Sequence, residues 1–220
     1  MPGVPPAAPG WTLVYRHGPP RYSTVHLAFD IFQGMGIAAA VGIRPFFPAL
    51  AAGALAAGGV EIHFHGTSFS FLAGAPFLIA MGVAGVALLL VETRLGSGGA
   101  RGRGLTMTIA ALALALGALF FAGALAQGRY TYWPGVVGGL VCAALAAAAT
   151  APLLARVGAR LGGKDAAAIP FYAEGAGVLA AVVSVVAPPL GVIVVLLMAW
   201  LFAAGRRREA QKYAGLRILR

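Results

Sequence analysis

The chain reads as an all-α, polytopic membrane helix bundle of six or seven membrane segments. Three observations predict it. Of its 220 residues, 60% are hydrophobic and only 10% are charged, against about 25% charged in an ordinary soluble domain. Mean hydropathy is +0.88, and several apolar runs reach the 18 or more residues that a membrane crossing needs. The basic residues gather between and after those runs, as topology-setting charges do. A soluble protein of this size could not cover its surface with so few charges.

Taken in order, residues 1–22 form an irregular N-terminal arm, since Pro5-Pro6, Pro9-Gly10 and Gly18-Pro19-Pro20 each break helices. The arm has Trp11, Tyr15, Arg16 and Arg21 but no apolar core of a secretory signal, so the first span is expected to act as its own insertion signal. One bundle then occupies 23–204, and a basic cytoplasmic tail occupies 205–220. The first apolar segment covers 24–43. Arg44-Pro45 interrupts it, because proline has no donor and disfavours helix at the residue before it. The next apolar piece, 46–60, would reach only about 22 Å as a helix, short of a hydrocarbon core of about 30 Å. It is either a short crossing or a re-entrant half-helix. Clear spans follow at 71–93, 105–127 and 135–155, and then 169–187 and 190–204 flank the Pro188-Pro189 break.

The tail and the loops 94–104 and 156–167 are rich in Lys and Arg, whereas 61–70 has none and 128–134 has one. This alternation gives five crossings after residue 61 with the C-terminus in the cytoplasm, in the inner membrane of a bacterium. With 46–60 counted as a crossing there are seven; as a re-entrant piece, six. Runs of Ala and Gly (Gly82, Gly85, Gly117, Gly138-Gly139, Ala143 to Ala149) predict close helix packing in lipid.

Two segments 141 positions apart share a pattern. Asp30-Ile-Phe-Gln33-Gly34-Met-Gly36-Ile-Ala-Ala39-Ala40-Val41 runs to Arg44-Pro45. Phe171-Tyr-Ala-Glu174-Gly175-Ala-Gly177-Val-Leu-Ala180-Ala181-Val182 runs to Pro188-Pro189. Paired, proline-broken segments predict an inverted repeat with a binding site at the repeat interface. Asp30 and Gln33 share a helix face, Glu174 occupies the repeat position of Gln33, and Arg44 is the available counter-charge. Polar side chains in lipid-length sequence mark ion or solute pathways. Asp30, Gln33, Arg44 and Glu174 are therefore the candidate pathway residues, with Asp30, Gln33 and Glu174 expected to converge near the midplane and Arg44 either pairing with them or lying at the interface. The competing expectation is that Asp30 and Glu174 stay within reach of the headgroups.

Other polar features carry less. Glu61, His63 and His65 would face one way in an extended loop and have the chemistry of metal ligands, but three residues in one loop more often form a plain polar surface. Glu92 beside Arg94 reads as an interfacial ion pair. Cys142 is a lone cysteine in an apolar run. The sequence nominates no metal, no cofactor and no enzymatic constellation. The net charge of +10 points to anionic headgroups rather than nucleic acid, since no stacking aromatics interleave the basic residues.

The run Gly42-Ile43-Arg44-Pro45-Phe46-Phe47-Pro48 after an Ala-rich segment resembles the opening of an uncharacterised bacterial family of small multi-pass membrane proteins (domain of unknown function four-one-two-six). Residues 170–204 resemble its C-terminal region, with an acidic residue after a short lead and prolines in the last apolar stretch. The resemblance implies no known activity; it marks Arg44, Pro45 and Glu174 as important positions. The function expected from these features is a small carrier or channel for an ion or small solute. The alternative is a non-catalytic accessory subunit of a larger membrane complex, and either could form homo-oligomers.

Overall fold

The computed structural model describes residues 24–64, 66–95, 103–161 and 168–216, and the N-terminal arm lies outside them. Seven α-helices follow in order: α1 Thr24–Ile43, α2 Phe46–Ala57, α3 Ala75–Leu95, α4 Arg103–Gln127, α5 Trp133–Arg160, α6 Ile169–Val186 and α7 Pro188–Leu216. Six are long and apolar enough to cross a membrane, and α2 is shorter. No strand occurs among the described residues. The all-α bundle expected from composition is what the chain forms.

Proline sets several boundaries. Pro134 and Pro170 sit in the first turns of α5 and α6, where a missing N–H costs nothing. Ala187 leaves the helical region at φ −133°, ψ 79°, and Pro188 opens α7. Pro152 lies inside α5 without ending it. Helix α7 continues past Ala204 to Leu216, so the start of the basic tail extends this helix instead of leaving it.

The second apolar piece crosses the bundle although its helix is short. Twelve residues of α2 span only about 18 Å. The chain then continues as an irregular segment with Ile62 and Phe64 fully buried. There the backbone N–H of His63 donates to Gln127 Oε1 at 2.8 Å, at the far end of α4. The Gln127 amide thus meets backbone polar groups of this irregular segment, with its Nε2 also reaching the Glu61 carbonyl at 3.5 Å. Glu61 takes a left-handed φ of 53° in this turn. Its side chain and that of His63 point outward while Ile62 and Phe64 point in, the alternation expected from the spacing.

Helix α1 is the hub. Ile37, Ala38, Ala39, Ala40 and Val41 are at most 1% exposed, enclosed by α2, α4, α5, α6 and α7. Close approach depends on missing side chains. A Cβ on Gly139 of α5 would run into the Gly117 carbonyl of α4, and one on Gly42 into the Ala143 carbonyl. Helices α1 and α6 run antiparallel: Gly36 lies against Ser184 and Gly191, whereas Ala40 and Arg44 lie against Gly177.

The two copies of the Gly-x-Gly pattern differ in surroundings. A Cβ on Gly34 would penetrate the Phe121 ring, while one on Gly175 meets nothing within 4 Å. Gly34→Ala is therefore expected to cost about 1–3 kcal/mol by overpacking. Gly175→Ala should be neutral or stabilise by about 0.5–1 kcal/mol through reduced backbone entropy. Unfolding midpoints of the two variants in one detergent check this; equal effects would contradict the packing described.

Candidate functional site

The break between α1 and α2 creates the site. Pro45 stops the hydrogen-bond ladder after Arg44, whose N–H still reaches the Ala40 carbonyl at 3.3 Å. The Arg44 side chain turns inward and is 9% exposed. Its Nη1 donates to Glu92 Oε1 at 2.7 Å, and its Nε stands 3.9 Å from Glu174 Oε1. Glu92 comes from the last turns of α3 and Glu174 from the second turn of α6. Their side chains are 1% and 7% exposed. One guanidinium thus lies between two carboxyl groups supplied by two other helices.

The two contacts are unequal. At 2.7 Å the Arg44–Glu92 pair is a charge-assisted hydrogen bond. At 3.9 Å the second contact is electrostatic only. Both Glu174 oxygens are buried and accept no hydrogen bond among the described residues. A carboxyl group in that state is costly if charged, because burial removes water and nothing replaces its hydrogen bonds.

Arg44 and Glu92 form one wall of a partly open cleft of about 240 Å³. Thr106 of α4, Thr150 of α5 and Ile169 of α6 complete it, with alanines between. Thr150 Oγ1 donates to its own helix at the Ala146 carbonyl, 2.7 Å away, so the cleft is largely apolar beyond the charged wall. The loops 94–104 and 156–167, which hold most of the basic residues outside the tail, join helices at this end.

Of the four expected pathway residues, the structure brings together Arg44 and Glu174 and leaves Asp30 apart. Asp30 precedes Arg44 by fourteen residues on a continuous helix, a separation of about 21 Å. It is half-buried at the opposite end, against Gly128 and near Tyr130, with His26 one turn earlier. The expected convergence of Asp30, Gln33 and Glu174 does not occur. Gln33 is also placed elsewhere: it is 2% exposed and its Nε2 donates to the Val185 carbonyl at 3.1 Å. That bond ties α1 to the far end of α6.

Glu92 corrects a second expectation. The sequence suggests an interfacial pair with Arg94, whose side chain lies outside the described residues; the structure makes Glu92 a buried partner of Arg44, 48 positions earlier. Gln127 was likewise not singled out, though a polar amide closing an apolar run was the available signal. Glu61 and His63 are exposed, and His65 lies outside the described residues. No group of three or more His, Cys, Asp or Glu able to hold a metal occurs among the described residues.

Comparison with protein-family models, curated proteins and solved structures finds no match.

Breaking a buried ion pair by removing one partner costs about 3–5 kcal/mol, because the survivor is left charged in a dry site. Arg44→Met should lower stability by that order. Arg44→Lys, which keeps the charge but loses the planar fork, should lose less. Denaturant titrations in detergent check this; an unchanged midpoint in Arg44→Met would show that the pair does not hold α3 to the helix break.

Proposed function

We propose that the chain is a small integral membrane carrier for an ion or small solute, with Arg44, Glu92 and Glu174 as its working site. The observation that carries this reading is the guanidinium buried between two carboxyl groups from separate helices, at a helix break that opens on a cleft. Ionisable groups inside a membrane bundle are costly and are retained where ions or solutes pass. Broken helices beside a repeat interface are where such sites form.

The pattern shared by the two segments supports a transporter-like inverted repeat. A shift of 141 positions turns Gln33 into 174 and Arg44 into 185. The contact Gln33–Val185 is thereby exchanged with Arg44–Glu174, and both contacts occur. Reciprocal exchange of this kind is the mark of a two-fold interface. Helices α1 and α6 being antiparallel fits an axis in the membrane plane.

Size narrows the cargo. The cleft, of about 240 Å³, has room for several waters. It suits an ion with a few waters or a very small solute and is below the usual range for larger ligands. In this reading the Arg44 end faces the cytoplasm of a bacterial cell, which the basic loops support.

The test is flux through vesicles reconstituted with purified protein, using a pH-sensitive dye with proton, sodium and potassium gradients, and light scattering with urea and glycerol. The expected result is flux above that of empty vesicles, reduced at least about tenfold, or about 1.4 kcal/mol of barrier, by Glu174→Gln. Asp30→Asn should keep it. A protein that moves none of these probes, and that leaves mild detergent with stoichiometric partner subunits, would replace the carrier reading with that of an accessory subunit.

A further inference from the structure

Glu174 is the group whose surroundings are least complete. Its carboxyl group is buried in the second turn of α6. Neither oxygen accepts a hydrogen bond among the described residues. The nearest cation, Arg44, gives its hydrogen bond to Glu92. The other elements packed on α6 bring no charge to it in the contacts described. Against the next turn, at Gly177, α1 presents Ala40 and α2 presents Pro48. Arg156 of α5 donates to the Pro152 carbonyl at 2.9 Å, and Arg206 of α7 stacks on the Phe202 ring 4.7 Å from its centroid. Those cations are engaged elsewhere.

Two kinds of ligand could neutralise such a carboxyl group: a metal cation or a proton. A hard cation takes about six or more oxygens. Glu174 supplies two, no cluster of three or more metal-ligating side chains occurs among the described residues, and a guanidinium nitrogen already stands 3.9 Å from one of its oxygens. A proton needs none of this. It converts the carboxylate to a neutral acid that tolerates a dry site without donors.

We propose that Glu174 binds one exchangeable proton, and that Arg44 changes its hydrogen-bond partner from Glu92 to Glu174 when the proton leaves. In that step the Glu174 O–H bond breaks with its electron pair left on the carboxylate. Glu174 does not itself line the cleft, but Arg44 beside it does, and the proton passes to water that enters alongside the guanidinium as it turns. Arg44 keeps its charge and turns its Nε edge the short distance to the new carboxylate. Glu92 lines the cleft and is exposed to its water as the guanidinium turns away. Proton release thus loosens the α3 contact and tightens the α6 contact, which is how charge could drive movement between the two helices. As the coupling ion of a carrier, this proton rests on the reading above; as a bound proton, it is detectable with no transport at all.

The experiment is infrared difference spectroscopy of the full chain in lipid nanodiscs across a pH step, in an Asp30→Asn background so that the other half-buried carboxyl group contributes nothing. The expected result is a protonated-carboxyl C=O band that shifts in D₂O, is unaffected by exchanging sodium for potassium, and disappears in Glu174→Gln. Absence of the band in the parent protein, its persistence in Glu174→Gln, or its loss on adding sodium would overturn the proposal. Glu92→Gln, which keeps Glu174 but weakens the acceptor holding Arg44, should abolish the same band, because Arg44 then pairs with an ionised Glu174. A band of full intensity in Glu92→Gln would overturn the partner exchange. The band present with no flux would sink the carrier reading and leave the proton site standing; flux with no band would do the reverse.

Discussion

A guanidinium held away from water must have an anion within reach. Arg44 has Glu92 in a hydrogen bond and a second carboxyl group, Glu174, beside it, and the geometry of one end of the bundle follows from that. Arginine is charged at any relevant pH, so the helix break at Arg44-Pro45 exists only with carboxyl groups brought to it. Glu92 fixes where α3 stops relative to α1, and Glu174 fixes the depth at which α6 begins. The two acids lie 82 positions apart in sequence and meet because one cation lies between them. The cleft is a consequence: α3, α4, α5 and α6 are arranged around a charged group, and alanines on α4 and α5 leave space beside it.

The rest of the bundle answers a different constraint. Lipid tails are as apolar as the helices, so burial from water does not drive one helix onto another within the membrane. Contact area must come from close approach. Gly139 against Gly117 and Gly42 against Ala143 bring backbone to backbone where any side chain would collide. These contacts lie around α1, and the second half of α1 is accordingly enclosed on all sides. The outward faces of α3 and α7 keep large apolar residues such as Ile79, Val83, Leu196 and Trp200 exposed, as lipid-facing surfaces do.

The sequence made the class of fold legible because composition and run length leave few alternatives for a chain with 10% charge. It also exposed Arg44 and Glu174, since a polar residue in apolar sequence stands out. It hid Glu92, because a carboxylate two residues from an arginine at the end of a span looks like a local surface pair, while its partner is set by tertiary packing. It misled over Asp30 for a geometric reason. Residues equivalent under a two-fold axis in the membrane plane lie at equal distances on opposite sides of it. If the proposed repeat holds, Gln33 and Glu174 are not expected to meet; Gln33 meets Val185 and Glu174 meets Arg44, contacts that a shift of 141 positions exchanges. Equivalence by repeat predicts exchanged contacts, whereas convergence requires residues on the axis itself.

That same exchange brings out an asymmetry. At one end the contact is an amide on a backbone carbonyl, Gln33 on Val185, which carries no net charge and cannot titrate. At the other it is a guanidinium with two carboxyl groups. Three further helices, α3, α4 and α5, stand between the two matching pairs in sequence; α4 and α5 cover α1 closely, while the corresponding face of α6 at Gly175 is open. If one ancestral unit gave both halves, the halves have since diverged so that only one of the two exchanged contacts carries charge. A site of that kind gives a small bundle a direction. The neutral contact can act as a fixed tie while the charged one changes partner, and any movement it drives begins at the end where Arg44, Glu92 and the cleft lie.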